Sequence, residues 1–198
     1  MATILVGFFF MLRAGEYLRT GTPDDGRVLK GSSLSLKVEG LPTRGRPDEL
    51  AVFGEKHKGD QEGHGWTLSH FRADRTICVV TAVWWLSLCF PTRFHGGAES
   101  HLPFARWANG HHIRREQVQD VLRRAAVAVG LPSERFMSHS LRVGGASALY
   151  HAVGDIEVVK RWGRWKSSAF HAYLWDSAEQ AKGLAQKMAD DVATIHFT

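Results

Sequence analysis

Apolar residues recur at helical spacing over much of this chain, and the pattern predicts a fold in which helices dominate. Residues 4–19 are largely apolar and free of proline, and a turn-forming cluster at 21–26 follows, so we expect a first helix with Arg13 near its C-terminal end. Residues 75–90 are apolar enough to predict a buried helix. Residues 117–129 alternate apolar and polar positions with a helical period, which indicates an amphipathic helix.

Three more helices are expected in the C-terminal half. One begins at Ser138 or His139 and runs to about residue 152. A shorter one is capped by Asp155 and runs through residue 162. Alanine, methionine and valine at helical spacing predict a last helix over about residues 177–192.

The alternation typical of half-buried strands is confined to the first third of the chain. Residues 33–38 alternate leucine or valine with polar neighbours, and residues 50–58 and 65–71 predict two further strands joined by a glycine-bearing turn. Lys56 and Lys58 would then lie at the lip of a hairpin. We therefore expect an α+β fold that is mainly α, a helical bundle with a small three-stranded antiparallel sheet.

Composition fits one domain over residues 1–198, because 44% of the residues are hydrophobic and the length allows a sizeable core. The two cysteines lack Cys-x-x-Cys spacing, which favours buried thiols in a reducing compartment. The apolar N-terminus has no basic segment or cleavage site and is too short to span a bilayer, so we expect neither a signal peptide nor a transmembrane segment. Since the first helix begins abruptly, the chain fits the C-terminal part of a longer protein. A net charge of +5 makes an anionic partner plausible.

A set of polar residues in the second half is suited to attack on a phosphodiester. Such attack needs an oxygen nucleophile, cations for the non-bridging oxygens and a proton for the leaving oxygen. Tyr173, eight residues after Trp165, is the candidate nucleophile. Arg13 and Arg142 are the candidate cations, because a guanidinium group binds phosphate oxygens bidentately and stays charged.

Proton transfer has candidates of its own. His139 titrates near neutral pH and shares a helix face with Arg142 if both are helical. Trp165 carries an indole N–H that can only donate, so it could bind a phosphate oxygen. For protonation of the leaving 5′ oxygen we prefer Lys58 over Lys56, and the choice between them stays open.

Each of these residues has an ordinary explanation when taken alone. A histidine and an arginine three positions apart occur often by chance. Arg13 and Glu16 have the spacing of a helix ion pair, and Trp165 and Tyr173 could be core residues. Only their order and spacing together favour a catalytic set.

That order and spacing resemble the catalytic domain of the tyrosine recombinase (phage integrase-like) superfamily, whose catalytic set is Arg, Lys, His-x-x-Arg, His or Trp, and Tyr. The resemblance runs from Met11 to about Trp175. The runs 58–61 and 163–165 are similar to those of the eukaryotic DIRS-like and Crypton-like transposon recombinases.

The resemblance implies that Tyr173 attacks the scissile phosphate and forms a 3′-phosphotyrosyl bond, without metal or nucleotide cofactor. Arg13, Arg142 and Trp165 would stabilise the transition state. His139 would be the acid–base partner, Lys58 would protonate the leaving oxygen, and Glu16 would support the helix of Arg13.

The resemblance further implies a partner and an assembly. The partner is double-stranded DNA, and the enzyme is a homo-oligomer, a tetramer on DNA, because recombination cuts four strands. We expect the chain to lack the N-terminal core-binding domain that these enzymes usually carry. The enzyme would be located in the nucleus of a eukaryotic host, and otherwise in the cytoplasm with the DNA. Whether the tyrosine acts in its own protomer or in a neighbour's is left open.

Two further clusters of charged or titratable residues lie outside the catalytic set. Four arginines on and before the amphipathic helix form a basic face that we expect to contact DNA phosphates, with a solvated face as the alternative; they are Arg114, Arg115, Arg123 and Arg124. Four histidines lie between residues 95 and 112, but no cysteine or carboxylate follows at recognised ligand spacing, so we expect no metal site.

Two other functions stay open. A type IB topoisomerase uses the same chemistry. A decayed or domesticated element could bind DNA without cutting it, since residues 145–162 have the pattern of a helix-turn-helix with Gly154 in the turn.

Overall fold

The computed structural model of the protein describes residues 1–18, 27–56, 64–94 and 96–174. Helices dominate this part of the chain, and a small antiparallel sheet packs against them, as the sequence predicts. The helices are α1 (Ala2–Phe9), α2 (Ala14–Tyr17), α3 (Val79–Cys89), α4 (Arg115–Ala128), α5 (Ser140–Val153) and α6 (Ile156–Trp162). Short 3₁₀ turns lie at Gly31–Ser33, Pro91–Arg93, Ser133–Arg135 and Ser168–Tyr173.

The sheet has four strands in the order β2-β1-β3-β4, all antiparallel. They are β1 (Leu34–Val38), β2 (Leu41–Pro42), β3 (Glu49–Gly54) and β4 (Trp66–Phe71). The three predicted strands are confirmed, and the fourth, β2, was missed because two residues are too few to show alternation. β3 ends at Gly54, earlier than predicted, and a β-carbon there would overlap the indole of Trp66.

The prediction of one helix over residues 4–19 is wrong. α1 ends at Phe9, the chain then leaves the helical path with Met11 at φ 47°, and α2 begins only after Arg13. Arg13 is thus the N-cap residue of α2, and its backbone N–H donates to the Glu16 carboxylate at 2.8 Å. The break frees the carbonyl groups of Phe10 and Met11, which accept hydrogen bonds from two arginines of the C-terminal half.

Two hydrophobic clusters hold the elements together. The larger one joins α1, α3 and the buried face of the sheet, with residues such as Val6, Leu50 and Val83. The smaller one lies between α5, α6 and the following turn, and its buried members are Met11, Ala146, Val159, Trp165 and Phe170. α1 packs against both α3 and α5, so it connects the sheet to the C-terminal helices.

The C-terminal helices follow the predicted limits closely. α5 ends at Gly154, which adopts the left-handed conformation at φ 67°. Asp155 caps α6 as expected, since its carboxylate accepts hydrogen bonds from the backbone N–H groups of Glu157 and Val158 at 2.7 and 3.3 Å. The helix predicted over residues 177–192 lies outside the described residues. In the described ranges, no helix has the length and apolar character needed to cross a membrane.

Candidate active site

An open cleft of about 320 Å³ lies where the loop after α1 meets the turn after α6. The residues that line it come from both ends of the chain: Arg13, Arg164, Trp165, Lys166, Ser167, Ala169 and Tyr173. Three of the predicted catalytic residues, Arg13, Trp165 and Tyr173, therefore share one cleft.

Arg142 lies beneath this cleft, with only 1% of its surface exposed. Its Nη1 donates to the carbonyl of Met11 and its Nη2 to the carbonyl of Gly163 at 2.7 Å. The guanidinium carbon lies 4.2 Å from the centre of the Trp165 ring, a cation–π contact. Burial, and then the positive charge of Arg13, lower the pKa of Arg142 to about 9, which still leaves it charged at neutral pH.

The tight turn at Gly163 positions Trp165 over Arg142. A β-carbon at Gly163 would overlap the ring of Trp165, so this position requires glycine. The Trp165 ring is buried and lies 5.3 Å from the ring of Tyr173, centre to centre. Trp165 therefore separates the buried arginine from the open side of the cleft.

Tyr173, which lines the cleft, lies against His139 at the N-cap of the neighbouring helix α5. Their rings lie 5.1 Å apart in an edge-to-face arrangement. The hydroxyl of Ser147 on α5 donates to the backbone carbonyl of Tyr173 at 2.8 Å, which fastens the 3₁₀ turn to the helix. Partial burial lowers the pKa of His139, and the charges of Arg142, Arg115 and Arg13 lower it further, which favours the neutral imidazole, the form that can accept a proton.

Glu16 is buried and holds Arg13 in place. Its Oε1 lies 3.1 Å from Nη1 of Arg13. Arg13 keeps 34% of its side chain exposed and faces the cleft.

Arg164 is a member of this group that the sequence analysis did not single out. Its side chain is 5% exposed, and its Nη2 pairs with Oε2 of Glu16 at 3.0 Å. Its signal in the sequence is its position in the tripeptide 163–165, directly before Trp165. We call Arg13, Glu16, Arg142 and Arg164 the cleft cluster; its three arginines outnumber its single carboxylate, so it favours an anion.

The four arginines expected on one basic face do not behave alike. Arg115 lies close to the cleft, because its Nε donates to the hydroxyl of the buried Ser138 at 2.9 Å and its charge acts on His139. Arg114 and Arg123 are exposed. Arg124 is 72% exposed and pairs with Asp120 at 3.0 Å.

The two lysine candidates follow β3 along the chain. Lys58 lies outside the described residues, and Lys56 is exposed two residues beyond the end of β3. Among the residues that the structure describes, no three histidine, cysteine or acidic side chains come together as a metal site.

Comparison with solved structures identifies the fold. XerH, a site-specific recombinase bound to its difH substrate in a pre-cleavage complex, matches with a TM-score of 0.59 and 14% identity over 98% of this chain. The post-cleavage complex of XerH with palindromic difH matches with a TM-score of 0.58 and 14% identity over 93% of this chain. This chain spans 46% and 45% of the length of those two chains. Comparison with family models and with curated proteins finds no match.

Proposed function

We propose that the chain is the catalytic part of an enzyme that breaks and rejoins DNA strands through a phosphotyrosyl intermediate, as in site-specific recombination or DNA integration. The observation that carries this proposal is the position of Tyr173 beside His139, over a buried arginine and in a cleft whose neighbouring charges are mostly positive. The fold shared with a site-specific recombinase supports it.

The cleavage step transfers the phosphate from one oxygen to another. The hydroxyl oxygen of Tyr173 attacks phosphorus and gives its proton to neutral His139, while the bond from phosphorus to the 5′ oxygen breaks. The 5′ oxygen takes a proton from a lysine, for which Lys58 is our first choice and Lys56 the second. Attack by a 5′-hydroxyl on the phosphotyrosine reverses each transfer and rejoins a strand, so no metal or nucleotide is consumed.

The arginines would act in sequence as the phosphate enters. Arg13 is open to the cleft and makes the first contact with a non-bridging oxygen. Arg142 is almost fully buried beneath Trp165, so a phosphate reaches it only when Trp165 and Tyr173 shift. Of its five N–H donors, two hold the carbonyl groups of Met11 and Gly163, which leaves three to meet the phosphate.

The partner in this proposal is double-stranded DNA. The exposed Arg114 and Arg123, together with Arg115 and Arg124, would contact backbone phosphates beside the cleft. Because Tyr173 lies next to His139 and Arg142 of its own chain, we propose that it acts in cis. The sequence resemblance supports three more specific proposals. They are assembly as a tetramer on DNA, location in the nucleus of a eukaryotic host, and relationship to the DIRS-like or Crypton-like branch.

The test is covalent capture on a suicide substrate. The 198-residue chain is incubated with a pool of nicked duplexes of randomised sequence, and adducts are separated on a denaturing gel. We expect an adduct with the wild type and with Tyr150→Phe, and none with Tyr173→Phe. Tyr150 is a matched control because it is a half-buried tyrosine on α5 that, like Tyr173, packs against the smaller hydrophobic cluster.

Each other outcome has a definite meaning. An adduct that survives Tyr173→Phe would refute the assigned nucleophile. DNA that is shifted but never captured would favour a module that binds without cutting, a function consistent with the covered Arg142. Relaxation of supercoiled plasmid without exchange between duplexes would indicate a topoisomerase.

A further inference from the structure

Backbone strain is concentrated around Arg142. Within the part of the chain that the structure describes, three residues other than glycine have a positive φ: Met11, Glu39 and Arg164. Met11 supplies one of the carbonyl groups that hold Arg142, and Arg164 directly follows Gly163, which supplies the other. Such conformations are unfavourable for bulky side chains and persist where surrounding contacts enforce them.

The side chain of Arg164 supplies those contacts. Its Nη1 donates to the carbonyl of Phe10 at 3.2 Å, and its Nη2 donates to Glu16 at 3.0 Å. Its guanidinium carbon lies 4.0 Å from the centre of the Trp66 ring on β4. One buried side chain thus joins the turn before Trp165 to the loop before Arg13.

Glu16 depends on this contact. Its Oε2 accepts from the backbone N–H of Arg13 and from Arg164, while its Oε1 pairs with the side chain of Arg13. Without Arg164, the buried carboxylate would lose one of the two ion pairs that the described residues give it, would keep the pair with Arg13, and would draw that guanidinium away from the cleft. The carbonyl groups of Met11 and Gly163, which hold Arg142, would also no longer be kept at a fixed distance from each other.

We propose that Arg164 is a positioning residue for the cleavage step. It shares the charge of Glu16 so that Arg13 stays available to the phosphate, and it fixes the spacing of the Met11 and Gly163 carbonyl groups around Arg142. The inference rests on the proposed function, because it assigns Arg164 a role in the same reaction without contact to the reacting atoms.

The test uses Arg164→Gly, which relieves the positive φ and removes the guanidinium group. In single-turnover cleavage of the suicide duplex we expect a loss of about 10²-fold in rate, because small misplacements of catalytic groups cost that much. DNA affinity should stay close to that of the wild type. Added guanidinium ion should restore much of the rate, and sodium or ammonium ion at equal ionic strength should not.

A double-mutant cycle separates positioning from general stability. If Arg164 acts through Glu16, Arg164→Gly combined with Glu16→Gln cleaves no more slowly than the slower single variant. Rates are compared at a temperature at which thermal unfolding shows every variant to be folded. Unchanged cleavage in Arg164→Gly, or losses of rate that simply multiply in the double variant, would overturn the inference.

A readout that needs no cleavage keeps the two proposals apart. The Nε–Hε signal of Arg13, identified by its loss in Arg13→Lys, should show a rigid side chain in the wild type and a mobile one in Arg164→Gly. An equally rigid Arg13 in both proteins would overturn the positioning role even if no adduct ever forms. A failure to form adducts in the wild type would refute the proposed function alone.

Discussion

Two clusters of buried arginines can be compared within this molecule. Besides the cleft cluster, the loop after α3 holds Arg93 and Arg106 together with Glu99, which we call the loop cluster. In both, guanidinium groups donate to backbone carbonyls: Arg93 donates to Arg106 and Trp107 at 3.1 and 2.8 Å. In both, an arginine lies over an aromatic ring, since Arg93 is 4.0 Å from the ring of Phe90.

The two clusters differ in what their hydrogen bonds connect. Those of the loop cluster join residues 3 to 14 positions apart and close a local loop. In the cleft cluster, the bonds from Arg142 to Met11 and from Arg164 to Phe10 and Glu16 join residues more than 130 positions apart. A buried arginine by itself therefore does not indicate catalysis. The cleft cluster is distinguished by hydrogen bonds between residues distant in sequence, and by its position beside an open cleft near Tyr173 and His139.

The largest expected difference is in the rate of cleavage by two lysine variants, Arg142→Lys in the cleft cluster and Arg93→Lys in the loop cluster. Each exchange keeps the charge and gives up part of a forked interaction with two carbonyl groups, so each should lower the free energy of unfolding by about 1–3 kcal/mol. Only Arg142→Lys should reduce single-turnover cleavage, by about 10²–10³-fold, because only Arg142 is expected to meet the transition-state charge. Suicide-duplex kinetics and chemical denaturation measure the two effects. Equal losses of cleavage would remove the distinction between the clusters.

Glycines beside the two clusters allow a matched test of packing. A β-carbon at Gly163 would overlap the Trp165 ring, and one at Gly31 would overlap the carbonyl oxygen of Arg93. Both alanine variants should be destabilised by about 1–3 kcal/mol, the usual cost of overpacking. Gly163→Ala should also displace Trp165 and quench adduct formation, whereas folded Gly31→Ala should retain it. Thermal melting measures the loss of stability, and the adduct assay measures cleavage. Loss of adducts in both alanine variants would mean that overpacking anywhere in the fold, and not only beside the cleft, abolishes cleavage.

The smallest expected effect is on the titration of His139. Its pKa lies below 6.5 in the folded protein, through partial burial and the charges of Arg142, Arg115 and Arg13. Arg13→Gln removes one of those charges and should raise the pKa of His139, while Arg93→Gln should leave it unchanged. Titration of the imidazole proton signals by NMR measures both shifts.

The sign of the linked stability change follows from the same shift. As the pH falls below 6.5, the unfolded chain takes up the proton first, so the contribution of His139 to stability decreases towards its folded pKa. Arg13→Gln should narrow the pH range over which stability changes, because it brings the pKa of His139 in the folded protein closer to that in the unfolded chain. If the pKa of His139 is unchanged in Arg13→Gln, the two side chains lie farther apart than the proposed site requires.

Much of the fold was predictable because its signals are local. α4 has a periodic apolar face, Asp155 is a good cap for α6, and β1 alternates over five residues. The break after Phe9 was not predictable, because residues 4–19 carry no proline or turn signal before the break. What stabilises the break is the use of the Phe10 and Met11 carbonyl groups by arginines from the other end of the chain.

Local patterns along the chain specify its helical character, the small sheet, and the order of an arginine, a histidine–arginine pair, a tryptophan and a tyrosine. The packing of distant elements places Arg142 beneath Trp165, brings Arg115 near His139, and lets Arg164 share Glu16 with Arg13. The reason is physical: these contacts depend on how α1, α5 and the turn after α6 pack around the smaller hydrophobic cluster. Local periodicity specifies which face of each element is buried, but not which distant side chain meets it there.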